Sequence, residues 1–200
     1  MFILGLTGNI SCGKSSVSKI LKSKGISIID ADLLSREIYI YEDVMSKMKE
    51  EFPQAIVDGR VDRKILGQIV FSDRKSLDKL NDICQKKIYD LILKAIQSHK
   101  KERLLVIDAA LLIEGNYDNM LDKLILVYCD EDKQVERLIK RDCISREDAM
   151  NRINSQMSQE DKKGYADYII DNSGDYERLQ LEVEKLVKQI GKWTCESEGR

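Results

Sequence analysis

The chain has 200 residues, of which 42% are apolar and 34% are charged. This length suits one domain, with room for a small inserted lobe, and is enough to bury a sizeable core. The 33 basic residues nearly balance the 35 acidic ones, and the formal net charge is −2. This balance gives no electrostatic reason to expect a nucleic acid or a membrane surface as a partner.

The apolar stretches and the cysteines predict a cytoplasmic protein. The longest apolar run, 104–113, is too short to span a bilayer and contains Asp108. No basic region precedes the apolar N-terminus, as it would in an export signal. The five cysteines are irregularly spaced and include no C-x-x-C pair, which favours a reducing compartment. With His99 as the only histidine, a zinc site of Cys and His is not expected.

The first motif that carries chemistry follows an apolar run over 2–6, which predicts a buried strand. Gly8-Asn9-Ile10-Ser11-Cys12-Gly13-Lys14-Ser15 fits the G-x-x-x-x-G-K-[ST] pattern of a phosphate-binding loop. Its glycines let backbone N–H groups turn toward phosphate oxygens. We expect Lys14 to reach the β- and γ-phosphates of a nucleotide and the Ser15 hydroxyl to take one position on Mg²⁺. The alternative is an ordinary Gly/Ser loop that ends in Lys-Ser.

The next elements have the pattern that opens a parallel α/β sheet. Apolar residues on one helical face predict a helix over 14–24, which Gly25 ends. The β-branched run 26–29, followed by Asp30, predicts a second buried strand. In such sheets ligands bind at the carboxyl ends of the strands.

Residues 33–97 are mostly helical in pattern and form a candidate inserted lobe. Pro53 and Asp58-Gly59 mark breaks, and Asp62 and Ser72 are candidate N-caps. A long apolar stripe over 77–96 predicts a helix that packs against a core.

The remaining chain predicts further strands at 103–107, 124–128 and 168–170. Asp130 is expected to cap a helix, and two capping boxes predict two short helices: Ser145 with Asp148, and Ser158 with Asp161. A closing amphipathic helix is predicted over 176–190, with a frayed tail over 192–200.

Three carboxylates at predicted strand ends are candidates for the site. Asp108 ends an apolar strand, where it can hold Mg²⁺ directly or through water, or only cap a turn. Asp30 and Asp32 follow the second strand. Asp32 can accept the proton of an attacking hydroxyl while Asp30 caps a helix, or both can be capping residues.

Arg137 and Arg141 lie four residues apart on one predicted helical face. Two guanidinium groups on one face repel each other unless an anion such as a triphosphate lies between them. Arginines in a lid stabilise charge on the transferring phosphoryl group. The alternative is a solvated face paired with nearby acidic residues.

In their order along the chain, these motifs resemble dephospho-CoA kinase, within the broader group of P-loop nucleoside monophosphate kinases. The resemblance runs almost the full length. The matching segments are the opening Gly5-Leu6-Thr7-Gly8, Asp30-Ala31-Asp32, Val61-Asp62-Arg63-Lys64, Ile69-Val70-Phe71, Leu111-Leu112-x-Glu114, Arg137-x-x-x-Arg141, Arg152-Ile153-x-x-Gln156-Met157 and Ala166-Asp167-Tyr168-x-Ile170-Asp171-Asn172.

The resemblance implies transfer of the ATP γ-phosphate to the ribose 3′-hydroxyl of dephospho-CoA, the final step of coenzyme A synthesis. It implies a P-loop sheet flanked by helices from 1–32 and 99–191, with a helical lid at about 137–160 and a helical acceptor-binding lobe at 33–98. The implied catalytic residues are Lys14, Asp32, Arg137 and Arg141. The implied ATP-binding residues are Gly8, Asn9, Ile10, Ser11, Cys12, Gly13, Lys14, Ser15, Ser16, Arg141 and Asn172. The implied acceptor-binding residues are Asp32, Arg63, Phe71, Gln85 and Glu114, and the implied Mg²⁺ residues are Ser15 and Asp108.

The sequence departs from the family at several positions. Asn9 and Ser11 stand where the family often has Gly, and Cys12 where it often has Ser, which invites oxidation beside the phosphates. Gln85-Lys86 aligns with a His-Pro pair, and Ala110 replaces a Pro. Gln85 can hydrogen-bond but cannot carry charge. This keeps open a kinase for another small hydroxylated acceptor, such as a nucleoside monophosphate.

A nucleotide-binding protein without turnover is a further alternative. A GTPase-type switch is disfavoured, because no guanine-reading N-K-x-D tetrad occurs. We expect ATP and dephospho-CoA as small-molecule partners, and a monomer or a small homo-oligomer.

Overall fold

The computed structural model describes residues 1–198. The chain divides into two units. The first comprises Met1–Asp30 and the chain from Ser98 onward, and the second comprises Ala31–Gln97. The strands, in chain order, are β1 (Phe2–Thr7), β2 (Ser27–Asp30), β3 (Ile56–Val57), β4 (Arg60–Val61), β5 (Leu104–Asp108), β6 (Lys123–Tyr128) and β7 (Tyr168–Asp171). The α-helices are α1 (Lys14–Ser23), α2 (Ala31–Glu37), α3 (Glu42–Glu51), α4 (Arg63–Ser72), α5 (Arg74–Ser98), α6 (Glu131–Asp142), α7 (Arg146–Asn154), α8 (Gln159–Lys163) and α9 (Tyr176–Glu198).

The first unit is built on a five-stranded sheet in the order β2-β5-β1-β6-β7, and every neighbouring pair is parallel. The register brings the carboxyl ends of three strands together, since Asp108, the last residue of β5, pairs with Leu6 of β1 and with Asp30, the last residue of β2. The predicted parallel sheet flanked by helices is therefore confirmed. Its central strand β1 leads directly into the predicted phosphate loop, at the edge where parallel sheets bind ligands.

One face of this sheet is covered by α1 and α9. Apolar residues of both helices form a single buried cluster with β1, β5, β6 and β7; among them Leu4, Leu21, Ile125, Val183 and Leu186 are at most 4% exposed. Burying a side chain of this size stabilises the fold by roughly 1.5–3 kcal/mol relative to leaving it in water. The cluster anchors α1, the helix that begins directly after the phosphate loop, and so helps to position the loop.

The second unit is helical except for one hairpin that the sequence did not predict. Strands β3 and β4 pair antiparallel across Asp58 and Gly59, which have φ of 49° and 75°. Positive φ at both residues is the geometry of a two-residue type I′ turn, which favours Asp-Gly. The core of this unit includes Val44, Met48 and Phe52, each at most 2% exposed.

The predicted helix caps have mixed outcomes. The side chain of Asp62 accepts from two backbone N–H groups at the start of α4, and Ser145 and Ser158 cap α7 and α8 through their hydroxyls, so these predictions are confirmed. The prediction of Ser72 as an N-cap was wrong. It ends α4 and its hydroxyl donates to carbonyls of the preceding turn, whereas Asp73 accepts from the Ser76 N–H.

The C-terminal prediction was also partly wrong. The closing helix α9 continues to Glu198, so residues 192–198 are helical rather than frayed, and 199–200 lie outside the described residues. Thr194 and Ser197 donate to carbonyls of the same helix. Among residues 1–198, no helix is both long enough and apolar enough to cross a membrane.

Candidate functional site

The phosphate loop lies between β1 and α1, and its two glycines are required by close contacts. A Cβ built on Gly8 would lie 2.6 Å from the Val127 carbonyl oxygen, so a side chain there would collide with β6. Gly13 has φ of 90°, and a Cβ there would lie 2.0 Å from Asn172 Nδ2. A side chain at Gly8 would require movement of the backbone, and one at Gly13 would be strained by the positive φ and would displace the Asn172 side chain.

Ser11 adopts φ of 63° without being a glycine. This left-handed conformation costs an ordinary residue about 1–2 kcal/mol, a cost that glycine would not incur. The Ser11 hydroxyl is buried and has no hydrogen-bond partner among the described residues. The loop therefore holds both backbone strain and an unsatisfied polar atom, which are typical of a functional site.

The N-terminus of α1 is open toward the loop. Gly13 precedes the helix without a side-chain cap, and the first turn carries no acidic residue. The free N–H groups and the positive end of the helix dipole at such a terminus favour an anion. Lys14 and Ser15 begin the helix, and Ser15 is exposed. This arrangement is suited to binding phosphate groups.

Lys14 forms an ion pair with Asp108 across the carboxyl ends of the strands. Its Nζ contacts Asp108 Oδ1; the Asp108 side chain is 5% exposed and that of Lys14 is 13% exposed. A buried carboxylate at this position is stable only with a positive partner. The pair holds the Lys14 side chain at the end of β5 and places the Asp108 carboxylate beside the start of α1.

The donor set at this edge suits Mg²⁺. Residues 1–198 contain no group of three or more His, Cys, Asp or Glu side chains able to hold a metal by themselves. Mg²⁺ in kinases does not need one, because it keeps several waters and uses one or two protein oxygens together with phosphate oxygens. The Ser15 hydroxyl and the Asp108 carboxylate supply oxygens of this kind.

Asn172 links the end of the sheet to the loop. It follows β7, is 7% exposed, and its Nδ2 donates to the Cys12 carbonyl at 2.8 Å. Its own carbonyl accepts from Arg137 Nη1 at 3.0 Å. Two residues predicted to bind ATP and one predicted to be catalytic are therefore joined in a single chain of hydrogen bonds.

Arg141 has a different partner from Arg137. Its guanidinium donates twice to Asp142, at 2.7 and 3.1 Å, and Asp142 also accepts from Arg152. The hydrogen bond from Arg141 lowers the pKa of the Asp142 carboxyl. The two arginines, four residues apart on α6, thus have different partners. Arg141 belongs to an exposed cluster with Asp142 and Arg152, whereas Arg137 donates to the carbonyl of Asn172.

The tip of the loop is bonded to the junction of α7 and α8, residues 156–159. The bonds run from Asn9 Nδ2 to the Met157 carbonyl at 2.9 Å, from Ile10 N to Gln156 Oε1 at 2.8 Å and from Cys12 Sγ to Gln159 Oε1 at 3.1 Å. Two of the three donors are the side chains of Asn9 and Cys12, so both residues contact the segment 156–159.

Two glutamines of this network were not predicted from the sequence. Gln134 is fully buried and donates to the Ile10 carbonyl at 2.8 Å, while Gln159 donates to Gln134 at 3.0 Å. A cavity of about 300 Å³ opens beside them, lined also by Asn9 and Tyr128. Neutral amides in charged helices carry no signal in the sequence alone, so only the three-dimensional contacts reveal them.

The thiol of Cys12 is protected rather than reactive, contrary to the expectation from its position. It is fully buried. A hydrogen bond with Cys129, followed by burial, raises its pKa above the ordinary value of 9.0. Because the thiolate is the reactive form, Cys12 is a poor target for oxidation or alkylation.

Glu114 lies in the first unit, after β5. Its Oε1 accepts from the Met157 N–H at 3.1 Å and lies 2.9 Å from Lys162 Nζ. Its Oε2 is buried without a hydrogen-bond partner among the described residues. Oε1 of this predicted acceptor-binding carboxylate is thus held by Met157 and Lys162, and Oε2 lacks a donor.

The other predicted acceptor residues lie on three helices of the second unit. Asp32 is the second residue of α2, and its carbonyl accepts from the Ser35 hydroxyl at 2.7 Å. Arg63 begins α4, directly after the Asp62 cap, and is exposed. Phe71, near the end of α4, is 40% exposed. Gln85 lies within α5 and is half-buried.

Comparison with known proteins identifies the family. A family model described as dephospho-CoA kinase matches residues 2–178. A dephospho-CoA kinase from Aquifex aeolicus is 40% identical over 195 residues, covering 94% of this chain and 96% of its own. One from Latilactobacillus sakei is 36% identical over 193 residues, covering 94% and 96%. The solved structure of the dephospho-CoA kinase from Campylobacter jejuni is similar with a TM-score of 0.69 and 30% identity, covering 95% of this chain and 97% of its own. The chain therefore belongs to the dephospho-CoA kinase family.

Proposed function

We propose that this chain transfers the γ-phosphate of ATP to the ribose 3′-hydroxyl of dephospho-CoA and releases coenzyme A and ADP. The observation that carries the proposal is the family match over residues 2–178, which spans the phosphate loop, the acceptor-side segments and the lid. Relatives named dephospho-CoA kinase align along at least 94% of this chain. This full-length agreement favours dephospho-CoA as the acceptor over a nucleoside monophosphate.

In this proposal the loop and the start of α1 bind the triphosphate. Backbone N–H groups of residues 8–16 surround the phosphate oxygens, and Lys14 leaves Asp108 to contact the β- and γ-phosphates. Ser15 and Asp108 would hold Mg²⁺, which when bound neutralises charge on the β- and γ-phosphate oxygens. Asn172 shapes the nucleotide side of the loop through its bond to Cys12.

The proposed acceptor-binding residues are Asp32, Arg63, Phe71, Gln85 and Glu114. Asp32 accepts the proton of the 3′-hydroxyl as that oxygen attacks the γ-phosphorus, because an alcohol is a weak nucleophile until its proton has a base to go to. Arg63 supplies positive charge for phosphate groups of the acceptor, Phe71 supplies an apolar surface, and Gln85 supplies a hydrogen-bonding amide.

The segment at about 137–160 is proposed to act as a lid. Arg137 and Arg141 stabilise the charge of the transferring phosphoryl group when the lid is closed, and Arg141 exchanges its Asp142 partner for phosphate oxygens. Closure excludes water, which would otherwise compete with the acceptor hydroxyl. We propose a cytoplasmic enzyme that works as a monomer or a small homo-oligomer.

The proposal is tested by comparing acceptors. Purified protein with ATP and Mg²⁺ is offered dephospho-CoA or each nucleoside monophosphate, and ADP release is followed. The proposal requires kcat/KM to be highest for dephospho-CoA. Faster phosphorylation of a nucleoside monophosphate would support the alternative acceptor, and ATP binding without ADP release for any acceptor would indicate a protein without turnover.

A further inference from the structure

Lys162 is a completely buried lysine that the sequence did not single out. It is the fourth residue of α8, and its side chain is 0% exposed. Its Nζ donates to the Ala110 carbonyl at 2.8 Å and lies 2.9 Å from Glu114 Oε1. Removing an ammonium group from water is costly unless it is paired and hydrogen-bonded. Lys162 satisfies both conditions on one short segment, residues 110–114.

The neighbouring Lys163 shows that this burial is specific. It belongs to the same helix, pairs with Glu160 at 2.7 Å, and the Glu160 side chain is 73% exposed. Such surface pairs contribute little to stability. The two adjacent lysines thus have the same charge but different environments, and only Lys162 reaches a predicted acceptor-binding residue.

Glu114 divides its two oxygens between different tasks. Oε1 pairs with the Lys162 ammonium and accepts a hydrogen bond from the Met157 N–H. Oε2 is buried and has no hydrogen-bond partner among the described residues. A buried carboxylate oxygen without a donor carries its full desolvation penalty, which a hydroxyl or N–H group of a bound molecule would relieve.

We infer that Lys162 is a positioning residue for the acceptor: its ammonium fixes Glu114 through Oε1 so that Oε2 is directed to a hydroxyl or N–H donor of the acceptor. The inference rests on the proposed function, in which Glu114 binds dephospho-CoA. Because Lys162 of α8 and Met157, just before α8, both contact Glu114 Oε1, the position of this segment and the orientation of Glu114 are set by the same contacts.

The first test is the variant Lys162→Met, which keeps the length of the side chain and removes its charge. We expect KM for dephospho-CoA to rise about 10-fold or more while KM for ATP stays within about 2-fold, since only acceptor binding loses its oriented partner. Lys163→Met is the matched control, and it should leave both constants near those of the wild type. An equal rise in both KM values would overturn the inference.

A second variant separates positioning from folding. Removing Lys162 alone deprives the partly buried Glu114 carboxylate of its ion-pair partner, so Lys162→Met should also lower the melting temperature. In the double variant Lys162→Met/Glu114→Gln no unpaired charge remains, and the melting temperature should return toward that of the wild type. KM for dephospho-CoA should stay high. Recovery of both properties would mean that the pair is only structural, and the inference would be wrong even if Lys162→Met by itself fails to fold.

Failure of the proposed function gives a different result. In that case the wild-type chain itself does not phosphorylate dephospho-CoA and shows no calorimetric binding of it, whatever residue stands at 162. If instead the wild type is active and Lys162→Met retains the wild-type KM for dephospho-CoA, the proposed function stands and the positioning role of Lys162 is refuted.

Discussion

The side-chain amide of Asn172 donates to the carbonyl oxygen of Cys12 at 2.8 Å, which joins the segment after the last strand of the sheet to the phosphate loop. A buried carbonyl that loses its donor costs about 1–3 kcal/mol. We expect Asn172→Ala to loosen the loop and to raise KM for ATP by about 10-fold, with a smaller change in kcat. The exposed Asn119 provides a control, Asn119→Ala, which should have no effect. Steady-state kinetics at varied ATP measure both, and an unchanged KM in Asn172→Ala would mean that the bond does not shape the nucleotide site.

Lys14 is expected to be essential for transfer. Lys14→Met removes the ammonium that stabilises the phosphoryl group and should lower kcat by about 10²-fold or more. It also removes the ion pair that Lys14 makes with the buried Asp108, so the melting temperature should fall. Lys19→Met changes an exposed lysine of the same helix and should alter neither property. Transfer that survives in a folded Lys14→Met protein would place the active site elsewhere.

Asp32 is the proposed general base, and its replacement distinguishes two roles. Asp32→Asn keeps the shape of the side chain but cannot accept the proton of the hydroxyl, so kcat should fall by about 10²–10⁴-fold. Binding of ATP, measured by calorimetry, should be nearly unchanged. Loss of ATP affinity with kcat preserved would argue instead for a role in holding the metal.

Asn9 is expected to help hold the lid against the loop. Asn9→Gly removes the donor to the Met157 carbonyl, and a loosened lid should admit water to the triphosphate site. We expect hydrolysis of ATP in the absence of acceptor to rise several-fold relative to transfer. Cys12→Ser is the matched control, because a serine hydroxyl can still donate to Gln159. An unchanged ratio of hydrolysis to transfer in Asn9→Gly would show that this contact does not seal the site.

The cysteines should react in an order set by burial and pKa. Cys143 and Cys195 are exposed, whereas Cys12 is buried and its pKa is raised, first by the hydrogen bond with Cys129. A thiol whose folded pKa lies above its unfolded value of 9.0 stabilises the fold fully below that pH, and the contribution declines as the pH rises further. Alkylation with iodoacetamide at neutral pH, read by peptide mass spectrometry, should therefore modify Cys143 and Cys195 first. Rapid labelling of Cys12 in the native protein would contradict this assignment.

How much the sequence could predict depends on the range of the interactions. The loop, the strand that ends at Asp108 and the caps at Asp62, Ser145 and Ser158 were all predictable, because each is set by residues a few positions apart. The sequence at Asp58-Gly59 indicates only a break between helices. The strands of the hairpin have two residues each, which is too few for an alternating apolar pattern to be detected.

Contacts between distant segments could not be predicted. Lys162 lies in a run of charged residues that looks solvated, yet it is buried because α8 packs it against residues 110–114. Arg141 remains predicted to bind a triphosphate, and its ion pair with Asp142 is a contact that helical spacing alone does not single out. Residue spacing along a helix determines which side chains share a helix face, whereas the tertiary fold determines which residues that face contacts.

The most direct test of the central claim is to identify the product. The purified chain is incubated with ATP, Mg²⁺ and dephospho-CoA, and the product is examined by mass spectrometry and phosphorus NMR. We predict one added phosphoryl group per acceptor, located on the ribose 3′-oxygen, with ADP formed in equal amount. Phosphorylation at another position, or ADP formed without a phosphorylated acceptor, would contradict the assignment of this chain as an enzyme that phosphorylates dephospho-CoA.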